Sequence, residues 1–140
     1  MAHPLLSSVT DVVMIDGLFQ QPNYVATKKL LDATVLRQEA IASNLAHLET
    51  PGYQRVDVSS AFQSELQRAL ETRDAGRIAA VKPSVGVDAS AAAANLDGNT
   101  VQLESELLHL QQNTVAHSLE TQLITGTLLK LRLAITGRPF

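Results

Sequence analysis

Two histidines, His109 and His117, invite a search for a metal site, because two imidazoles on one helix face can grip an ion. They are eight positions apart, too far for one helix to chelate with both without outside ligands. His117 with Glu120 or Thr121 makes a partial metal face, and a satisfied or solvent-facing histidine is the preferred reading. His47 and Glu49 have no nucleophile placed beside them. Ser43 lacks the Gly-x-Ser-x-Gly frame of a nucleophile elbow. Glu104 and Glu106 are two apart, so on a helix they do not face each other. Asp97-Gly98-Asn99 is a turn without the carboxylates of a calcium loop, and there is no Gly-rich phosphate loop. The residues therefore assign no catalytic, cofactor or metal site, and no small-molecule substrate.

Composition narrows the classes further. The 140 residues fit one domain (1–140), and 45% are hydrophobic but only 4% aromatic. Ala, Leu and Val dominate, which suits closely packed helices. A net charge of -3 gives no basic patch for nucleic acid. Without cysteine there are no disulfides or thiolate metal sites. Met1 to Leu6 carry no Lys or Arg, and Asp16 and Gly17 break the apolar run from Val12 to Phe19, so a Sec signal is not expected. No window approaches the roughly 20 apolar residues of a membrane helix. Taken alone, these features read as cytoplasmic.

Along the chain, residues 1–22 read as an N-terminal extension with a short helix, Val9 to Phe19, capped by Ser8. Gln20 to Pro22 interrupt it and Asn23 is the expected cap of a long helix within 23–49, from about Tyr24 to Leu48. Leu31, Thr34, Gln38, Ile41, Leu45 and Leu48 fall at alternating three- and four-residue steps on one face. Lys28, Lys29, Asp32, Arg37 and Glu39 read as a solvated face. Thr50-Pro51-Gly52 stops the helix: Pro51 cannot donate and disfavours a helical Thr50, and Gly52 permits positive φ. Asn44, His47, Glu49 and Thr50 can tie the helix end to the turn after it. Residues 50–100 then hold the turn, an extended Gln54 to Ser60, a short helix from Ala61 to Thr72 capped by Ser59 or Ser60, and a linker. Residues 74–100 are expected to be mobile in a free monomer or ordered only against neighbours, with short strands around Lys82-Pro83-Ser84.

The last helix is expected within 101–136, from about Val101 to Ile135, with Asn99 or Thr100 as its cap. Leu103, Leu107, Leu110, Thr114, His117, Thr121, Ile124, Leu128, Leu131 and Ile135 keep a strict four-three alternation, a heptad seam. Leu108, Val115, Leu119, Leu123, Leu129 and Leu133 form a second stripe. Thr114, His117 and Thr121 interrupt the seam, either as a register device or as a part facing a channel or polar neighbour; the second is favoured. The predicted fold is mainly α: two long terminal helices in an antiparallel coiled-coil-like hairpin, with a short middle helix and a flexible or β-containing centre. One stripe suffices for that hairpin. The other, with the length that the shorter helix cannot cover, is left for partners. Contacts of this kind that do not close build an open helical filament. The expected assembly residues are Leu31, Ile41, Leu45, Leu48, Leu103, Leu107, Leu110, Ile124, Leu128, Leu131 and Ile135.

The stretch Ala42-Ser43-Asn44-Leu45-Ala46, followed by Thr50-Pro51-Gly52-Tyr53, resembles the N-terminal signature of the flagellar rod, hook and axial protein family. Leu45 stands in for the usual Ile, and His47 replaces the usual second Asn. Met14 to Phe19, Leu36 to Ala40, and the run Asp97-Gly98-Asn99 with Val101, Leu103, Glu104, Glu106 and Leu107 are similar to the bacterial flagellar basal body rod proteins, closest to the proximal rod. Residues 1–13 have no counterpart; a start at Met14 and a real extension both stay open. The resemblance implies a structural, non-enzymatic subunit in a periplasmic rod, exported by the flagellar type III apparatus without a cleaved signal. It implies copies of itself, other rod subunits, the basal-body adaptor protein and the export gate within the MS ring as partners. A soluble helical binding module, such as an export chaperone, is the alternative; a small helical enzyme would need a site these residues do not supply.

Overall fold

The computed structural model describes residues 16–137 except Leu18 and Ala94. The short helix expected from Val9 to Phe19 lies largely outside the described residues, of which Asp16, Gly17 and Phe19 are helical. The chain is mainly helical. Helix α1 (Pro22–Ala46) is followed by strand β1 (Val56–Val58), helices α2 (Ser60–Glu71) and α3 (Ala75–Ala80), strand β2 (Val85–Val87) and helix α4 (Leu103–Thr136).

Each boundary has a local cause. Pro22 opens α1 at its first helical position, where its missing N–H costs nothing; Asn23, expected as the cap, lies inside the helix. Ser59 caps α2 by accepting from the Ala61 N–H, and Asp74 caps α3 by accepting from Gly76 and Arg77. Gly137, at φ 63°, ends α4 in the left-handed conformation that suits glycine. The two strands pair antiparallel, Val56 opposite Val87 and Val58 opposite Val85.

The apolar core lies on one side of α1. Ala26 and Ala33 of α1, Val58 of β1, Phe62, Leu66 and Ala69 of α2, and Ile78 of α3 form it. Alanines on α1 let the short elements approach closely. The stretch 74–100, expected to be loose, is folded against this core in its described part: Ile78 is fully buried, β2 holds β1, and Asn99 and Thr100 are buried. The strand expected after Lys82-Pro83-Ser84 is β2, whereas the small residues before it disguised a helix, Ala75–Ala80, too short to show a period.

Helix α4 contributes nothing to that core. Its buried residues are Glu106, Asn113 and Glu120, all polar. It crosses α1 in antiparallel order: Asn44 meets Glu106, Thr34 and Gln38 meet Asn113, and Thr34 meets Glu120. The inner seam is thus Glu106, Leu110, Asn113, His117, Glu120 and Ile124. It keeps four residues of the predicted heptad seam, Leu110, His117, Ile124 and Leu131, which are half-buried or meet α1. The other six are exposed: Thr114 and Thr121, and Leu103, Leu107, Leu128 and Ile135 at 42–62%. Apolar periodicity located the helix but left open which stripe meets α1, because this seam is held by polar contacts.

Candidate functional site

The family signature and the start of α4 build one joint between the chain ends. Asn44 is fully buried on the last turn of α1. Its Nδ2 donates to Val56 O at 2.8 Å and its Oδ1 accepts from Val56 N at 2.9 Å. One amide side chain thus acts as a strand partner for the outer edge of β1. The same Nδ2 donates to Glu106 Oε2 at 3.1 Å, which brings α4 to that edge.

Asn99 does the reciprocal work from the far end of the chain. Its Nδ2 reaches the carbonyls of His47, Leu48 and Thr50 at 2.9, 3.1 and 2.8 Å. These carbonyls belong to the C-cap residue of α1 and the turn after it, and those of His47 and Thr50 also accept from Thr50 N–H and Tyr53 N–H. Its Oδ1 accepts from Val101 N at 2.8 Å. Asn99 was expected to cap α4; it stitches the end of α1 instead, and Gln102 precedes α4 without a side-chain cap. Thr100, the other expected cap, takes the Arg55 N–H at 2.7 Å. Gly52, at φ 71°, turns the chain so that its N–H meets Asp97 O at 3.0 Å. Tyr53 then stacks on His47 with ring centroids 4.4 Å apart, and its hydroxyl lies 3.0 Å from Ser43 Oγ.

Below this joint lies a charged knot that sequence reading missed. Arg55 is 5% exposed and pairs with Glu106, with Asp88 at 2.6 Å and with Asp57 at 2.9 Å. Asp57 also takes Arg37 at 3.0 Å, and the Arg37 side chain, read as part of a solvated face, stays 40% exposed beside it. Burial alone would lower the Arg55 pKa, but the hydrogen bonds and charges of Glu106 and Asp57 hold it above its ordinary value. Burial would raise Asp57; hydrogen bonds from Arg37, Arg55 and the Val58 N–H outweigh it and hold its carboxyl low. Asp88 is held low chiefly by the Ser90 hydroxyl, against burial and with help from Arg55. No short-range signal links Arg55 to Asp88 or Glu106, so the knot was not legible before the fold.

A second polar layer sits along the seam. Asn113 Nδ2 donates to Thr34 O at 2.9 Å and Gln38 Oε1 at 3.1 Å. Thr34 Oγ1 lies 3.1 Å from Glu120 Oε2 and 3.2 Å from His117 Nδ1. His117 therefore faces α1, as a register residue would, whereas Thr114 and Thr121 are exposed and bond back to their own helix. Of the other expected residues, Ser43, Leu45 and Tyr53 are half-buried, and Ala42, Ala46, Thr50, Pro51 and Gly52 are exposed. Leu31 and Leu48 are half-buried. Ile41 is 1% exposed and packs within the chain, so it has no surface to offer a neighbour. His109 lines a small cavity with Arg55, Asp88 and Glu106.

The outward face of α4 is the remaining feature. Val115 is 69% exposed, Leu119 56%, and Leu108 and Leu123 each 54%. These are the second stripe.

Among known proteins, the chain is 33% identical over 113 residues to the flagellar basal body rod protein FlgB of Borrelia hermsii, covering 68% of this chain and 82% of the relative. The chain belongs to the FlgB family of flagellar basal body rod proteins. FlgB of Cereibacter sphaeroides ATCC 17029 is 31% identical over 109 residues, covering 72% of this chain and 84% of the relative. FlgB of Escherichia coli K12 is 28% identical over 115 residues, with 71% and 82% covered. No family model matches the chain. As a FlgB-family member it is a structural subunit of the flagellar basal body rod and serves motility. No helix among the described residues is long and apolar enough to cross a membrane.

Proposed function

We propose that this subunit builds the rod wall through the leucine face of α4, packed against copies of itself and other rod subunits, with α1 and α4 acting as a coiled-coil-like hairpin. One observation carries this reading: the intramolecular seam is lined by Glu106, Asn113 and Glu120 while Leu108, Val115, Leu119 and Leu123 stay exposed. A face of this kind on a helix of 34 residues, about 50 Å long, exceeds what a soluble chain ordinarily leaves wet. Leu107, Leu128 and Ile135 extend it. Repetition of such contacts without closure gives a tube, suited to transmitting torque and enclosing an export channel. The adaptor protein and the export gate within the MS ring are the proposed neighbours at its base, in the periplasm, reached by type III export without a cleaved signal. The role is structural rather than catalytic.

The test is a pair of substitutions, Leu119→Asp with Leu123→Asp. Both side chains are more than half exposed, so the monomer should lose only about 1 kcal/mol in helix propensity and residual packing. Incorporation into rods and swimming should be lost. Normal swimming would refute the leucine face as an interface. An export chaperone would instead leave rods built without it.

A further inference from the structure

The Thr34 hydroxyl has three polar neighbours and one hydrogen. Its Oγ1 is 2.8 Å from Leu31 O, 3.1 Å from Glu120 Oε2 and 3.2 Å from His117 Nδ1. A hydroxyl donates once and accepts twice. An ionised Glu120 only accepts, so it competes with Leu31 O for that single hydrogen. A protonated Glu120 donates instead. Thr34 then keeps its bond to Leu31 O and accepts from both Glu120 and an Nδ1–H of His117. All three contacts are made only in this arrangement.

We propose that the α1–α4 seam is a proton-operated clasp centred on Glu120, closed when its carboxyl is protonated and loosened when it is ionised. The position supports this: Glu120 is 9% exposed, in a seam where α4 offers α1 mainly polar groups. The charged groups facing it are His117 on its own helix and Arg37 on α1. Both favour the ionised form, and the Thr34 bond does so too, but burial outweighs them and holds the carboxyl above its ordinary value. For a carboxyl raised on folding, the stabilisation is full below the unfolded pKa and is lost as pH rises through the folded one. The Glu106 end responds in the opposite sense, because Asp57 and Asp88 are held low there. Rising pH thus frees the middle of α4 while its N-terminal end stays tied to Arg55. The helix has a fixed pivot and a releasable arm.

Carboxyl-detected NMR titration of the full chain tests the clasp without any substitution. Glu120 should titrate above the ordinary range of an exposed glutamate. Hydrogen exchange, corrected for the intrinsic pH dependence of exchange, should then show protection of residues 110–124 falling severalfold between a pH below and a pH above the observed Glu120 transition, with residues 103–107 unchanged. Glu120→Gln, a neutral isostere, should keep the seam protected at both pH values. The proposal is overturned if Glu120 titrates within that ordinary range, or if Glu120→Gln retains the wild-type pH dependence.

Discussion

Replacing Asn99 with Asp changes one atom's chemistry and almost no volume. The amide nitrogen that serves His47 O, Leu48 O and Thr50 O at 2.8–3.1 Å becomes an oxygen that can only accept. Asn99 is fully buried, so the Leu48 carbonyl loses this donor, while the His47 and Thr50 carbonyls keep backbone bonds from Thr50 N–H and Tyr53 N–H. The Val101 N–H still finds the remaining oxygen, which confines the perturbation to the α1 side. A buried group left unsatisfied costs about 1–3 kcal/mol. Asn99→Ala removes the donor and opens a cavity that water can enter, so it should cost about 2–4 kcal/mol. Asn99→Asp should cost at least as much at neutral pH, because a carboxylate facing carbonyl oxygens is repelled as well as unsatisfied. Against a typical domain stability of about 5–15 kcal/mol, both are large. Urea unfolding followed by circular dichroism measures the difference. An Asn99→Asp variant within about 1 kcal/mol of wild type would refute the assignment of Asn99 as the donor that ties the chain ends.

Three further outcomes follow from the same geometry. Gly52→Ala meets no atom within 4 Å of the added Cβ, yet φ is +71°; the cost should be backbone strain alone, about 1–2 kcal/mol by urea unfolding. Asp57 and Asp88 are held low on folding, so their stabilisation is present above their unfolded pKa values and lost as pH falls through the folded ones. Arg55→Met should reduce that acid-side loss in a pH series of thermal melts without abolishing it, because Arg37 still holds Asp57 and Ser90 still holds Asp88, while destabilising the neutral protein by about 3 kcal/mol through the buried Glu106 left without its cation. Leu128→Asp, at a site 42% exposed, should impair rod incorporation more than monomer stability; Leu110 is half-buried beside α1 and would confound the two readouts.

Both long helices and the turn between α1 and β1 were legible because they are written locally. Pro51-Gly52 and the three-four alternation need no knowledge of distant residues. The inner face of α4 was not legible. Periodicity counts leucines, and here most leucines of α4 are exposed while its buried residues are Glu106, Asn113 and Glu120. These three recur at seven-residue steps, one position before Leu107, Thr114 and Thr121, so the correct seam was present as a polar heptad in the shadow of an apolar one. Asn44 was recognised as a residue that would rather bond the backbone than sit in a helix, but its partners, Val56 and Glu106, come from beyond the turn. Helix α3 was missed because six residues, Ala75–Ala80, cannot display an amphipathic period.

That inversion of α4 bears on how a subunit of this kind can exist both alone and assembled. An apolar seam would hold α1 and α4 together strongly but in several neighbouring registers, since leucines slide past leucines at little cost. Hydrogen bonds do not slide: Asn44 fits Val56 and Glu106 in one register, and Asn113 fits Thr34 and Gln38 in the same one. Polar core residues give up stability for such definition. The cost is visible in Asn113 Oδ1, a buried atom without a hydrogen-bond partner among the described residues. The apolar surface withheld from the seam is then free to stabilise contacts between subunits, where burying a leucine contributes about 1.5–3 kcal/mol. Register is therefore fixed within the chain by polar contacts, and under the proposed leucine interface cohesion is left to the assembly.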